Sequence, residues 1–195
     1  VMFWIHGGGY WAGSSQELPA YDGENLAQKG DVVVVSVNHR LNILGFLDLS
    51  NFGEKYKYSA NNGILDLKVA LEWVQANIEN FGGDPSNVTI FGQSGGGGKV
   101  NNLLAMPSAK GLFHKAINQS GAYRATLEDK AVTQAISTEV LKELNLSATT
   151  IDNIQEIPFE QLAAAGRVAL KKVGEELKEK GVDLGVIGLN WSPSL

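Results

Sequence analysis

Cysteine is absent from the 195 residues. Disulfides, thiolate nucleophiles and cysteine-bound metals are therefore excluded from this stretch. A disulfide-free chain fits a cytosolic or bacterial setting better than a small secreted domain. A surplus of positive charge is also lacking: 16 Lys+Arg against 21 Asp+Glu leave a net charge of -5. Nothing electrostatic favours nucleic acid or an anionic membrane surface as a partner. No apolar run is long enough to span a bilayer. No H-E-x-x-H occurs among the three histidines, so no metal motif is present and no cofactor is implied. What remains is 44% hydrophobic and 19% charged. That is ordinary globular composition, in a chain long enough for one domain with a substantial core.

The chain opens on "VMFWI", a buried strand already under way at residue 1, with no initiating methionine or signal peptide. The closing "NWSPSL" completes no element. Both ends lead us to expect a segment of a longer chain. Between them, "DVVVVSVNHR" gives a second apolar run, Val32 to Val37, suited to a strand covered on both faces. "YDGENLAQKG" before it reads as a short helix ending at Gly30. Ile64, Leu67, Leu71, Val74 and Ile78 recur at helical steps, and Gly82-Gly83 stop that helix. Val88 to Phe91 then predicts a strand, Gly95 to Leu104 a helix, and Ala116 to Gln119 a further strand. This alternation predicts an α/β fold with a mostly parallel sheet, over residues 1–124. From 125 to 195 the pattern is helical and amphipathic. Ala131, Ala135, Ile136, Val140 and Leu144 share one side of a first helix, expected from Leu127 to Leu144. A turn before Pro158 follows, then one or two helices up to Gly181. This part is expected to be a helical excursion of the same domain.

Gly92-Gln93-Ser94-Gly95-Gly96 matches G-x-S-x-G, directly after a predicted strand and opening a predicted helix. That is the context of a nucleophile elbow. A serine hydroxyl is a weak nucleophile unless a base takes its proton, so it must project from the sheet's carboxyl edge towards one. A very tight turn does this at the cost of backbone strain at the serine, and the flanking residues must be small.

"WIHGGGYW" places three glycines after the first strand. Ester hydrolysis passes through a tetrahedral oxyanion, and losing one backbone N–H donor aimed at it costs on the order of 3 kcal/mol. Glycines allow that close approach. A phosphate-binding loop is the competing reading, but no G-x-x-x-x-G-K-[ST] occurs and no acidic ribose partner follows. An oxyanion loop is the better fit. Tyr10 and Trp11, just after it, suit either a pocket mouth or core packing.

"WIHGGGY", "VSVNHRLNILGFL", "NNGILDLKVALEWVQANIENFGGDPSNVTIFGQSGGG" and "GLFHKAINQSG" together resemble the type B carboxylesterase family, the cholinesterase-like α/β-hydrolases. The resemblance covers most of residues 1–122. It implies an α/β-hydrolase fold with helices on both faces of the sheet. It implies Ser94 as acylated nucleophile, Gly8, Gly9 and Gly95 as oxyanion-hole donors, and Ser120 as support for the triad's acid. The family's usual elbow has glutamate before the serine and alanine after it; here they are Gln93 and Gly95.

The triad order for this fold is serine, acid, histidine. His6, His39 and His114 fall on family positions that are not the base, and no Asp or Glu lies between Ser94 and His114. Acid and base are expected beyond Leu195. Asn87, Asn118 and Asn145 fit the glycosylation pattern, with Asn118 discounted as part of a strand. The expected function is a serine carboxylic-ester hydrolase acting on small-molecule carboxylic esters through an acyl-enzyme. The alternatives are a non-catalytic cholinesterase-like adhesion module and an inactive fragment of the esterase.

Overall fold

The computed structural model describes residues 1–121, 128–185 and 188–194. They divide into two compact units, residues 1–40 with 63–125 and residues 41–62 with 126–195.

The first unit is built on four parallel strands: β1 (Met2–Ile5), β2 (Val34–Ser36), β3 (Thr89–Gln93) and β4 (Lys115–Gln119). Their order across the sheet is β2-β1-β3-β4. Trp4 pairs with Ser36 on one side and Phe91 on the other, and Gln93 pairs with Gln119. Only the two central strands are well buried. The β-branched run at Val32–Val37, expected to be covered on both faces, has half-exposed side chains, and its strand comes last in the order of the four strands described. Strand composition reports β propensity, whereas burial depends on which strands end up as neighbours.

The helices of this unit are α1 (Glu24–Gly30), α3 (Asn62–Asn77) and α4 (Gly95–Ala105). In α3 the expected stripe faces the core: Ile64, Leu67, Leu71 and Val74 are buried, as is Ile78 in the 3-10 turn after it. Each such side chain contributes about 1.5–3 kcal/mol relative to exposure. Arg40, at the end of "VNHR", grips α3 through a bidentate bond to Asp66 (2.9 and 2.7 Å). Half-exposed as it is, that pair contributes no more than about 1 kcal/mol.

Connectivity places the site. The chain leaves β1 towards β2 on one side and leaves β3 towards β4 on the other. Neighbouring strands whose connections diverge leave a crevice outside their carboxyl ends. The glycine loop follows β1 and the elbow follows β3, so both motifs open onto that crevice.

The second unit contains α2 (Asn42–Phe46), α5 (Lys130–Glu143) and α6 (Phe159–Glu179), the last a single continuous helix. Residues 41–62, counted above with the sheet core, lie in this unit. The reason is packing at long range. Asp48 accepts a buried bond from the Thr133 hydroxyl (2.7 Å), and Asn61 exchanges two bonds with the Ser194 backbone (2.8 and 3.0 Å). Leu127 lies outside the described residues. In α5 the inward face is Thr133, Ile136, Ser137, Val140 and Leu141, and Ala131 is exposed. The helix is thus rotated from the expected apolar side, with Thr133 turned inward to Asp48. Asp129 caps α5, accepting from the Ala131 N–H at 2.7 Å. No helix among the described residues is long and apolar enough to cross a membrane.

Candidate active site

Ser94 is the last residue before α4 and sits at φ 54°, ψ -121°. A side chain in that left-handed region costs on the order of 1–3 kcal/mol. Its own N–H still belongs to the sheet, donating to Gln119 O at 2.8 Å. Its carbonyl already belongs to the helix, accepting from Gly98 N–H at 3.0 Å. The strand-to-helix switch therefore takes place within one residue. Ser94 is half-buried at the crevice, with the positive end of α4 behind it.

The small residues around Ser94 are required by backbone contacts rather than by turn propensity alone. A Cβ on Gly96 would lie 2.1 Å from Ile5 O, and one on Gly95 would lie 2.4 Å from Gly9 N. The elbow and the glycine loop thus touch backbone to backbone. A Cβ on Gly7 would lie 3.6 Å from Ser94 Cβ, so the loop runs directly beside Ser94. In the loop Gly8 has φ +82° and Gly9 φ +61°. Gly8 O accepts from Ala12 N–H (3.1 Å), closing a turn that a Cβ on Gly8 would block at 2.2 Å from Ala12 O.

That turn leaves donors unspent. Among the described residues no acceptor is taken by the N–H of Gly8, Gly9 or Gly95. Gly8 is exposed and Gly9 half-exposed, so their side of the loop is open. Tyr10 is buried, its hydroxyl donating to Asn102 on α4 at 3.1 Å, which makes it a packing residue. Trp11 lies over Gly9, where its ring occupies the space a Cβ would take.

Ser120 follows β4 as Ser94 follows β3, on the adjacent strand, at φ +55° and exposed. Asn118 is engaged on every side. It donates to Gly97 O and Asn101 Oδ1 (both 2.9 Å) and accepts from Gly121 N–H (2.8 Å).

None of the three histidines bonds to Ser94 among the described residues. His6 is fully buried, with Nδ1 2.9 Å from Gly7 O, and stacks on His39 at 4.6 Å between ring centres. Burial first, and the Lys99 charge second, hold both rings below their ordinary pKa. His114 precedes β4, whereas Ser94 follows β3. The strands are parallel and five residues long, so at about 3.3 Å per residue they sit roughly 17 Å apart. His114 Nδ1 accepts from Val88 N–H at that far end (3.2 Å). No cluster of metal-ligating side chains occurs among the described residues.

Sequence reading missed Lys99. It is completely buried on α4, and burial pushes its ammonium down to about 7. The available signal was its spacing: it stands four residues before Leu103, on the face that packs inward.

A model described as "Carboxylesterase family" matches residues 1–183. The para-nitrobenzyl esterase of Bacillus subtilis (strain 168) is 47% identical over 175 residues, 88% of this chain and 35% of that protein. An esterase from Clostridium hathewayi, described as able to hydrolyze aliphatic aromatic polyesters, superposes with a TM-score of 0.82 at 49% identity. That match covers 100% of this chain and 37% of the other. The Geobacillus stearothermophilus carboxylesterase EST55 superposes with a TM-score of 0.82 at 39% identity, covering 99% of this chain and 38% of the other. The chain thus spans a little over a third of the length of these relatives. It has the α/β-hydrolase fold, a parallel sheet flanked by helices. On the match over residues 1–183 and these identities, the chain belongs to the carboxylesterase family.

Proposed function

We propose that this chain carries the nucleophile and the oxyanion hole of a serine carboxylic-ester hydrolase. One observation carries the reading: the Ser94 position faces a loop whose Gly8 and Gly9 N–H groups, with that of Gly95, have no acceptor among the described residues. Ser94 Oγ attacks the ester carbonyl, and the carbonyl oxygen becomes an oxyanion held by these three donors. The tetrahedral species collapses, the alcohol leaves, and Ser94 is acylated. Water then attacks the acyl-enzyme through a second oxyanion at the same place, releasing the acid. A histidine from outside the 195 residues takes the proton from Ser94 and gives it to the leaving alcohol, then takes one from the attacking water and returns it to Ser94 Oγ as the acid leaves. Its partner acid would rest against Ser120, which is exposed at the same sheet edge. The substrates are small-molecule carboxylic esters, and no cofactor enters. The B. subtilis and C. hathewayi relatives, named as esterases, support the reaction class.

The test is labelling of the full-length protein with a fluorophosphonate ester, read by peptide mass spectrometry. The expected adduct is on Ser94 and absent from Ser94→Ala. A folded protein that stays unlabelled would remove the esterase reading and favour a non-catalytic binding module.

Gly95→Ala probes the hole without removing a donor. Alanine is the family's usual residue here, but in this chain the new Cβ would stand 2.4 Å from Gly9 N and 2.5 Å from Gly9 Cα, so this loop, closed onto a glycine, must retreat. A displacement near 1 Å at a reacting group costs on the order of 10²-fold. We expect kcat/KM for p-nitrophenyl acetate to fall by about that factor, with the adduct still formed on Ser94. Unchanged kcat/KM would mean that the donors do not depend on this contact.

A further inference from the structure

Lys99 stands five residues after Ser94 and is 0% exposed. Among the described residues no carboxylate comes within ion-pair distance of it. Its Nζ donates to His6 O at 3.3 Å and lies 5.8 Å from the centre of the Tyr10 ring. His6 precedes Gly7-Gly8-Gly9 and Tyr10 follows it, so one side chain reaches both flanks of the loop. Three residues on, Asn102 holds the Tyr10 hydroxyl. The helix that begins at the elbow therefore grips, from one face, both ends of the loop that lies against the elbow.

Burying an ammonium without a carboxylate is unfavourable, and an apolar side chain of similar length would fill the same space more cheaply. The placement calls for something a methionine could not supply. We propose that Lys99 is a positioning residue for ester hydrolysis, whose charged side chain, bonded to His6 O and lying over Tyr10, holds the glycine loop where its N–H groups meet the oxyanion. This inference rests on the ester-hydrolase reading above.

The charge matters for two reasons. An ammonium–carbonyl bond is roughly twice as strong as a neutral one, and attraction to the Tyr10 ring exists only for the cation. The titratable groups facing Lys99 are His6 at the end of β1, His39 after β2, and Tyr10. Glu17 acts on His6 from the segment after the loop. Burial lowers Lys99 from 10.5 to about 7. The ammonium is therefore present below about pH 7, and the hold weakens as pH rises through that value.

The sign for stability is opposite. Unfolded, Lys99 keeps its proton up to about pH 10.5, while the folded protein releases it near 7. The unfolded state binds more protons between those values, so burying Lys99 is most costly at or below pH 7 and less so as pH rises.

The experiment compares Lys99→Met, and Lys99→Gln as a second variant, with wild type. It measures kcat and KM for p-nitrophenyl acetate from pH 5.5 to 9.5 in the full-length protein, per active site titrated with fluorophosphonate. We expect kcat of Lys99→Met to fall at least tenfold at pH 6.5 with KM changed less than twofold. We expect the alkaline fall of wild-type kcat, centred near pH 7, to disappear. Tm at pH 6.5 should rise, a combination that general damage to the fold does not produce. A wild-type alkaline limb that persists in both variants, or an unchanged kcat per titrated site, overturns the role of Lys99 and leaves the esterase reading intact. Wild type without turnover or labelling overturns both.

Discussion

Ser94→Ala is expected to lower kcat for ester hydrolysis by about 10⁵- to 10⁶-fold in the full-length protein, with little change in stability. The size follows from how nucleophile, base and oxyanion hole act as a unit. Removing the nucleophile of a serine hydrolase costs about as much as removing the whole triad, and what survives comes from the hole and from binding. The small stability change follows from the ground state. Ser94 Oγ accepts and donates no hydrogen bond among the described residues, so alanine breaks nothing. Alanine also inherits the same left-handed backbone, φ 54°, with the same Cβ. The strain stays in place while the chemistry goes. Ser94→Gly separates the two, because glycine accepts that backbone freely: it should be as inactive as Ser94→Ala yet more stable by about 1 kcal/mol. Steady-state kinetics with urea unfolding of both variants checks this. Residual kcat above about 1% of wild type in Ser94→Ala would mean that another group, or a directly activated water, performs the attack. Lost stability in Ser94→Ala would mean that the hydroxyl has a structural partner.

Much of this site was legible before any coordinates, and for a physical reason. A tight strand-to-helix turn and a backbone donor loop both need residues without side chains at fixed places, so the glycines around Ser94 and at Gly7–Gly9 report geometry directly. The apolar stripe of α3 was legible for a similar reason, since periodicity is a local property. The features that escaped depend on residues far apart in the chain. Val32–Val37 has a central strand's composition, yet its side chains are half-exposed in this stretch, because burial depends on neighbours that local composition does not specify. Ala131 looked inward on a helical wheel, but α5 turns Thr133 inward, where its hydroxyl meets Asp48, 85 residues away. Residues 41–62 join the second unit through equally distant partners. Lys99 escaped because a lysine is read as solvated by default. Its burial rests on a carbonyl at His6 and a ring at Tyr10 that only the folded loop brings to it.

Gly96→Ala should destabilise the protein by about 3–5 kcal/mol, in spite of improving local helix propensity. Gly96 lies in the first turn of α4 with ordinary negative φ, so glycine is not needed there for its backbone freedom. In an open helix, alanine in its place would gain nearly 1 kcal/mol. Here a Cβ would meet Ile5 O at 2.1 Å and His6 O at 2.9 Å, both parts of a buried strand end. Neither can move without disturbing the pairing of β1 with β3, and overpacking of rigid backbone falls among the costliest substitutions. For a protein of this size the expected fall in Tm is on the order of 10 °C. Gly111→Ala supplies the contrast. That glycine has φ +87° with nothing within 4 Å of a Cβ, so only the backbone penalty of about 1 kcal/mol applies. Paired thermal melts of the two variants therefore separate close approach from conformational freedom. Equal losses, or a neutral Gly96→Ala, would mean that α4 does not press on the end of β1. Under the proposed function that contact would bear on catalysis as well as stability. The approach of α4 to β1 at Gly96 sets how far the glycine loop stands from Ser94. Under the proposed function, a side chain at Gly96 that the fold managed to tolerate would still carry Gly8 and Gly9 away from the oxyanion.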